Sequence, residues 1–386
     1  MKIIIAPDSF KGSMCSMDVA SHIEKGVLKV YPNADIIKIP VADGGEGTVD
    51  ALVAGAGGTF HTAYVTGPMG NGIPAKYAIL DNGAAVLEMA ASSGLPLVPQ
   101  GCLNPLNATT YGVGQLMLAA IENGAKEIVL GIGGSATNDG GVGMAQALGC
   151  SFTDRSGKNL DFGGGALGHL AHIDVSGLDP RIINTRIRVA SDVSNPLCGP
   201  DGTSAVFGPQ KGASPDMIAK LDRNLKHYAA VVKNQLGIDI AEVHGAGAAG
   251  GLGFGLMAFC RASISSGIDT MLDVAQFDEK LIGANLCITG EGQIDGSTAY
   301  GKVPVGIAAR AVRYNIPVLA VVGGIGEGAE ACYALGIDSI ISITSRAMPL
   351  EEAMLRSGEL IEDAAERAMR MLRIGVLMNY SHGVGM

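Results

Sequence analysis

Acidic residues, lysines and hydroxyl groups stand beside glycines in several short segments of this chain. Three such segments are Asp8-Ser9-Phe10-Lys11-Gly12, Asp43-Gly44-Gly45-Glu46, and Thr289 to Asp295 (TGEGQID) with Gly301-Lys302 behind it. Carboxylates hold Mg²⁺ and accept the proton of a hydroxyl group, while lysines and backbone N–H groups hold phosphate charge. The combination is what phosphoryl transfer requires, although each acid taken alone is also a common helix cap.

The longest glycine-rich segment is Gly131 to Gly141, GIGGSATNDGG. It follows a predicted strand and precedes a predicted helix. Successive N–H groups in such a loop converge on anionic oxygens, and the dipole at the helix N-terminus assists them. The candidate contacts to a phosphate or carboxylate are Gly133, Gly134, Ser135, Thr137 and Asn138. A tight strand–helix turn without a ligand is the alternative.

Two nucleotide motifs match this chain only in part. Gly131, Gly133 and Ala136 fit GxGxxA, with Asp154 about 20 residues further on, as in dinucleotide-binding folds. The helix of that motif would be interrupted by Asn138 to Gly141. Gly296 to Lys302 spells GxxxxGK, but Val303 replaces the Ser or Thr that binds Mg²⁺, so a working P-loop is not expected.

Further candidates for binding or chemistry lie in the middle of the chain. Asp192 ends an apolar run, Lys211 lies in FGPQKGA, and Gly247 and Gly250 lie in HGAGAAGGLG. The histidines show no HxxxH or HxH spacing and there is no CxxC pair, so the pattern does not favour a zinc site. No GxSxG motif of a serine hydrolase is present.

Composition limits the class of protein. The chain has 386 residues, 47% of them hydrophobic, and a formal net charge of −10. An acidic balance without a basic cluster argues against nucleic acid and anionic membranes as partners. The seven scattered cysteines indicate reduced thiols, and no signal peptide or membrane span of ~18 apolar residues is recognised. We therefore expect a cytoplasmic protein, and homo-oligomerisation is left open.

The order of predicted elements indicates two α/β domains. Strands and helices alternate at both ends of the chain, which favours a doubly wound parallel sheet. Between them, short strands separated by Gly, Pro and Asn turns favour a mixed sheet. We predict one discontinuous domain, residues 1–60 plus 265–386, and an inserted α/β domain, residues 61–264. A single last helix is predicted at about Leu350 to Ile374.

At its motifs the chain resembles type I bacterial glycerate kinases. The matching segments, in order from Ala6 to Ala308, are APDSFKGS, PVADGGEGTVDA, TGPMG, EMAASSGL, GIGGSATNDGGVGMAQALG, ASDVSNPL, FGPQKGA, GAGAAGG, TGEGQID and GKVPVGIA. The resemblance implies ATP-dependent phosphorylation of glycerate with Mg²⁺ in organic-acid catabolism, and 2-phosphoglycerate rather than 3-phosphoglycerate as the product. It also implies that the parallel-sheet domain is flavodoxin-like.

Roles are assigned from the chemistry of the side chains. Asp43 and Asp192 are predicted to act in the reaction, one of them as the base or orienting group for the glycerate hydroxyl. Lys11 and Lys302 are predicted to hold anionic groups, and Asp295, with Glu291 as its substitute, to hold the metal. The predicted contacts to substrate or nucleotide, without distinction between the two, are Asp8, Ser9, Gly44, Gly45, Glu46, Gly133, Gly134, Ser135, Thr137, Asn138, Lys211, Gly247 and Gly250.

Two other functions compete with the kinase. A dinucleotide-dependent oxidoreductase acting on a small hydroxy acid would use Gly131, Gly133 and Ala136, and tight NAD(P) binding without ATP turnover would support it. An anion-sensing domain without catalysis would need phosphate donors but not several additional carboxylates. The number of acid–glycine turns therefore favours the kinase.

Overall fold

The computed structural model describes residues 1–41 and 47–382. The strands are β1 (Lys2–Ile5), β2 (Asp35–Lys38), β3 (Thr59–Thr66), β4 (Gly72–Ile79), β5 (Ala84–Glu88), β6 (Glu127–Gly131), β7 (Ser151–Thr153), β8 (His172–Asp174), β9 (Arg186–Ala190), β10 (Ser263–Ser265), β11 (Leu286–Thr289), β12 (Gln293–Ile294), β13 (Val318–Val322), β14 (Gly324–Ile325) and β15 (Ser339–Ser342). The α-helices are α1 (Ser16–Leu28), α2 (Thr48–Ala56), α3 (Ala90–Ser93), α4 (Tyr111–Glu122), α5 (Val142–Ala147), α6 (Pro180–Ile183), α7 (Thr203–Phe207), α8 (Pro215–Leu236), α9 (Ala248–Cys260), α10 (Gly267–Val274), α11 (Phe277–Leu281), α12 (Val303–Val312), α13 (Leu350–Leu355) and α14 (Ser357–His382).

The chain forms two compact units. The described residues of the first unit are 1–41, 50–56 and 271–382, and those of the second are 47–49 and 57–270. The bounds of two independent domains at residues 60/61 and 264/265 stay a prediction. Within the described residues, no helix has the length and apolarity needed to span a membrane.

The first unit is built on a parallel five-stranded sheet in the order β2-β1-β11-β13-β15. In order of appearance within this unit the strands run 2-1-3-4-5, which is the flavodoxin-like order. Ile3 pairs with Ile36 on one side and with Leu286 on the other, so β1 lies between β2 and β11. The order reverses at this point, and open α/β sheets bind ligands beyond the carboxyl ends of the strands at such a switch point.

Both faces of this sheet are buried, because its central strands consist of consecutive apolar residues whose side chains point alternately to the two faces. Ile3 and Ile5 belong to a core that also contains Val19 of α1 and Ile361 of α14. Ile4 points to the opposite face and is equally buried, as expected for a doubly wound sheet. Gly26 permits the close contact of α1 with α14, since a Cβ there would meet the backbone of Glu362.

The second unit contains a mixed six-stranded sheet in the order β10-β9-β6-β5-β4-β3. β3, β4 and β5 pair antiparallel, whereas β5, β6, β9 and β10 are parallel. Its core joins strand residues such as Leu87 and Leu130 to Met117 of α4 and Leu252 of α9. The predicted fold class, a flavodoxin-like sheet with an inserted mixed α/β part, is therefore confirmed.

The last helix differs from the prediction. Two helices, α13 and α14, replace the single helix predicted over Leu350 to Ile374, and Arg356 separates them with φ −101° and ψ 12°. Ser13, from the loop after β1, explains the break. Its hydroxyl contacts the Met354 carbonyl at 3.0 Å and the Ser357 hydroxyl at 2.8 Å. The interruption is thus held by a residue more than 300 positions away, which local periodicity does not reveal.

Candidate active site

The switch point of the first unit carries two carboxylates on neighbouring strands. Asp8 follows β1, Glu291 follows β11, and the Asp8 N–H donates to the Gly290 carbonyl at 2.8 Å, which keeps the two chain segments side by side. Ser9 comes next and donates its N–H to Asp8 Oδ1 at 2.6 Å. The predicted acids Asp8 and Glu291 are therefore brought together.

Glu291 is almost enclosed, with 6% of its surface exposed. Its Oε1 accepts a hydrogen bond of 2.7 Å from Thr298 Oγ1. Burial, assisted by the nearby charges of Asp8 and Asp295, raises the pKa of Glu291 to about 7, against the opposing effects of the Thr298 hydroxyl and Lys302. A carboxylate in these surroundings is stabilised by any cation that approaches it.

Asp295 and Lys302 are linked through one serine. Asp295 Oδ1 accepts from the Ser297 N–H at 2.8 Å and from the Ser297 hydroxyl, while Lys302 Nζ donates to that hydroxyl at 2.7 Å. The hydrogen bonds from Ser297 lower the pKa of Asp295. Lys11 is exposed, and its backbone N lies 3.7 Å from where a Cβ on Gly292 would be. The predicted acids and both predicted lysines of this unit thus share the carboxyl edge of one sheet.

A second glycine-rich loop runs beside this one, and the sequence analysis did not recognise it. It is the segment Gly323 to Gly328 after β13. The Gly323 N–H donates to the Glu291 carbonyl at 3.1 Å, and the Gly324 N–H donates to the Gly292 carbonyl at 3.0 Å. A strand followed by GGIGEG was a detectable signal, equivalent to the one used at Gly131.

In the second unit, only the start of the loop 131–141 faces solvent. Gly133 and Gly134 are exposed, Ser135 is buried, and Thr137 and Asn138 are completely buried. The following helix, α5, begins only at Val142. As predicted, Asn138 to Gly141 interrupt the segment in which a dinucleotide-binding fingerprint would already be helical.

Asp139 fills the position expected for an external anion. Its carboxylate accepts from the N–H groups of Thr110, Gly141 and Gly143 at 2.8, 3.1 and 3.3 Å, and from the Thr110 hydroxyl. Burial raises the pKa of Asp139, and these hydrogen bonds oppose the shift. The amino end of α5 is thus capped by an internal carboxylate, so the expected help of a helix dipole is not offered to a ligand here.

Lys211 supports the loop from inside the protein. Only 1% of its surface is exposed, and Nζ donates to the Thr137 carbonyl at 2.7 Å. Asn138 Nδ2 donates to Ser204 Oγ at 2.9 Å, so α7 also holds the loop. Thr137 Oγ1, Asn138 Oδ1 and Thr203 Oγ1 are buried without a hydrogen-bond partner among the described residues. Ser204 and Thr203 carried no recognisable sequence motif.

Asp192 lies at the same sheet edge as Gly133. Ala190 of β9 pairs with Gly131 of β6, so both segments leave the sheet side by side. Asp192 is exposed, and its Oδ1 accepts from the Gly267 N–H at 2.9 Å, at the start of α10. Glu88, at the end of the neighbouring β5, was not singled out from the sequence, and it accepts the Val49 N–H at 2.9 Å.

Gly247 and Gly250 pack against the protein itself. A Cβ on Gly247 would meet the Pro196 carbonyl, and one on Gly250 would meet the Thr137 carbonyl. Asp43, Gly44, Gly45 and Glu46 lie outside the described residues, and their roles stay predictions. Among residues 1–41 and 47–382, no three His, Cys, Asp or Glu side chains are grouped so that they could hold a metal ion.

Comparison with known proteins decides the family. The model of the glycerate kinase family matches residues 3–373. The chain is 48% identical to a glycerate kinase of Bacillus subtilis (strain 168), over 98% of this chain and 99% of the other. It is 47% identical to a glycerate 2-kinase of Escherichia coli (strain K12), over 97% of this chain and 99% of the other.

The chain belongs to the glycerate kinase family. A crystal structure described as glycerate kinase 2 of Salmonella typhimurium LT2 superposes with a TM-score of 0.90 at 44% identity, and covers 98% of this chain and 99% of the other. The resemblance found in the sequence is confirmed. Members of a kinase family transfer a phosphoryl group from ATP, here to an alcohol group. The oxidoreductase alternative is not supported by the glycerate kinase relatives.

Proposed function

We propose that this protein phosphorylates D-glycerate with ATP. The observation that carries the proposal is the group formed by Glu291, Asp295 and Lys302 at the switch point of the flavodoxin-like sheet. Carboxylates for a metal and a lysine for phosphate charge are the groups that a phosphoryl-transfer enzyme must supply. Membership of the glycerate kinase family supports the same phosphoryl transfer, with glycerate as the acceptor.

The reaction needs one proton acceptor. The glycerate hydroxyl oxygen forms a bond to the γ-phosphorus, the bond from that phosphorus to the oxygen bridging it to the β-phosphate breaks, and the hydroxyl proton moves to a base. Asp192 is an exposed carboxylate beside the glycine loop, which suits it to accept that proton or to orient the hydroxyl. Asp43 is the other candidate from the sequence.

The acids at the switch point fit Mg²⁺. Magnesium in nucleotide sites is held by one or two carboxylates and completes its shell with water and phosphate oxygens. Glu291 and Asp295 offer such oxygens, and a cation beside the buried Glu291 would offset the burial that raises its pKa. When bound, the metal would neutralise charge on the phosphates. If the proposal holds, E291Q and D295N each raise the Mg²⁺ concentration needed for half-maximal rate, and an unchanged requirement in both variants refutes it.

We further propose carbon 2 as the site of phosphorylation. The support is the Escherichia coli relative, whose name is glycerate 2-kinase. The test supplies ATP, Mg²⁺ and D-glycerate with enolase and pyruvate kinase but no phosphoglycerate mutase. 2-Phosphoglycerate then gives an immediate signal. A signal that needs added mutase identifies 3-phosphoglycerate, and no ADP from glycerate under any condition refutes the kinase.

The proposed location is the cytoplasm. All seven cysteines are free thiols, and Cys150, Cys198, Cys260, Cys287 and Cys332 are buried. Unpaired cysteines in this number are typical of a reducing compartment. Recovery of the protein in the periplasmic or membrane fraction of fractionated cells would contradict the proposal.

A further inference from the structure

We propose that the polyphosphate of ATP binds along the two paired loops of the first unit, 290–296 and 323–328, and not on the loop 131–141. The inference rests on the proposed function and assigns one of its two substrates to a defined surface. Two features of these loops support it: glycines that the fold does not require, and charged groups suited to a metal–phosphate ligand.

Most glycines in the two loops have a structural reason. A Cβ on Gly290 would meet the Val321 carbonyl, and one on Gly323 would meet the Gly292 carbonyl, so both residues allow neighbouring backbones to approach. Gly328 has a φ of +79°, which side chains rarely adopt. These positions would be glycine with or without a ligand.

The fold itself gives no structural reason for a glycine at position 324. Its φ is not in the left-handed region, and no atom lies within 4 Å of the position that its Cβ would take. Gly292 and Gly296 are similar, with only ordinary contacts of 3.6 Å to the nearest atoms. Gly324 lies in β14, where a residue without a side chain lowers stability, and Gly292 and Gly296 flank the paired strand β12. Three open glycine positions this close together indicate that something else occupies the space.

The charges beside these glycines match a metal-bound polyphosphate. Glu291 and Asp295 supply carboxylate oxygens from the first loop, and Lys302 supplies an exposed ammonium group held through Ser297. The N–H groups of Gly323 and Gly324 already donate to the carbonyls of Glu291 and Gly292, so the missing side chains offer phosphate oxygens space rather than backbone donors. The topology adds support, since the loop 290–296 follows β11, one of the two strands at the switch point of the sheet, and the loop 323–328 pairs with it.

The loop 131–141 is less suited to a phosphate. The carboxylate of Asp139 already accepts the N–H groups of Gly141 and Gly143, and its negative charge lies at the position a phosphate would take. Thr137 and Asn138 are buried and bonded to Lys211 and Ser204. Only Gly133 and Gly134 remain exposed, which is a small surface for three phosphates.

The test is direct binding of a non-hydrolysable ATP analogue with Mg²⁺, measured by calorimetry without glycerate. The G324V variant should raise the Kd at least tenfold and raise KM for ATP, while KM for glycerate stays the same. G375V is the matched control, because Gly375 also has open space at its Cβ and lies on α14. Its Kd should equal that of the wild type.

A second pair of variants examines the loop 131–141. Gly134 and Gly157 both have positive φ, +72° and +82°, which asparagine tolerates. We expect G134N and its control G157N to leave the Kd of the analogue unchanged.

Wild-type affinity in G324V, or weakened binding in G134N, would overturn the inference. Urea midpoints of all variants exclude misfolding, and G324A repeats the test if G324V is unstable. A wild type that binds the analogue but releases no ADP with glycerate would refute the proposed function and leave the nucleotide site standing.

Discussion

A buried lysine facing a buried aspartate sets the electrostatics behind the glycine loop. Lys211 and Asp139 are both almost completely enclosed, and each influences the other's charge. Burial lowers the pKa of Lys211 from 10.5 to about 7, although Asp139 opposes this shift. The loop is therefore supported by an amine whose charge changes near neutral pH.

The lowered pKa of Lys211 should make the free energy of unfolding depend on pH. Between pH 7 and 10.5 the unfolded chain keeps the Lys211 proton and the folded protein releases it, so the free energy of unfolding rises with pH in that window. The slope approaches about 1.4 kcal/mol per pH unit. K211M removes the effect, so the wild type should gain stability relative to K211M from pH 7 to pH 9.

Urea unfolding of both proteins at pH 6, 7, 8 and 9 measures the difference. Groups that do not interact with Lys211 contribute equally to both proteins, so their contributions cancel. K211M also removes the donor to the Thr137 carbonyl, and this loss shifts the whole stability curve of K211M without changing its slope. Stability curves that stay parallel from pH 7 to pH 9 would contradict the depressed pKa.

Replacing Asp192 by asparagine should lower turnover without unfolding the protein. Asparagine keeps an oxygen that accepts the Gly267 N–H but cannot take a proton from the substrate. If Asp192 is the base, D192N should lower kcat by roughly 10²–10⁴-fold. D174N is the matched control, because Asp174 also accepts a backbone N–H, from Ser176, in the same unit. Near-wild-type kcat in D192N would remove Asp192 from the chemistry.

At the scale of elements, local patterns were sufficient for strands but not for the orientation of loop residues. Alternating strands and helices were predicted at both ends of the chain, and the structure has β11 (Leu286–Thr289) and β13 (Val318–Val322) among its strands there. Their short apolar runs lie between polar turns, which is a local signal. Thr137 and Asn138 were expected to face a ligand and are buried instead, because distant Lys211 and Ser204 bind them. Such tertiary contacts leave no trace in spacing.

The paired loops offer a test at this scale. G323A should lower the free energy of unfolding by about 1–3 kcal/mol, because its Cβ would meet the Gly292 carbonyl and force the loops apart. G324A adds the same methyl group to the next residue, where nothing lies within 4 Å, and should change stability by less than about 0.5 kcal/mol. Urea midpoints measure both. Equal losses would show that the loops do not pack as described.

At the scale of the whole molecule, each unit has its own hydrophobic core. The core on one face of the first unit joins β1 to α1 and α14, while that of the second joins β5 and β6 to α4 and α9. Two cores of this kind allow separate unfolding, because the cooperativity of folding comes from packing within each core. The predicted pair of domains therefore has a measurable consequence.

The buried cysteines report on the two cores separately. Cys287 and Cys332 lie in the first unit, and Cys150, Cys198 and Cys260 lie in the second. Burial raises the pKa of Cys287 to about 12, so its thiol stays protonated and unreactive until the surrounding core opens.

The experiment applies pulses of iodoacetamide at increasing urea concentrations and detects labelling by mass spectrometry. The two buried cysteines of the first unit should become labelled at one urea concentration, and the three buried cysteines of the second unit at another. Exposed Cys15 and Cys102 provide the control, since they should react without urea. A common midpoint for all five buried thiols would mean that the chain unfolds as one cooperative domain.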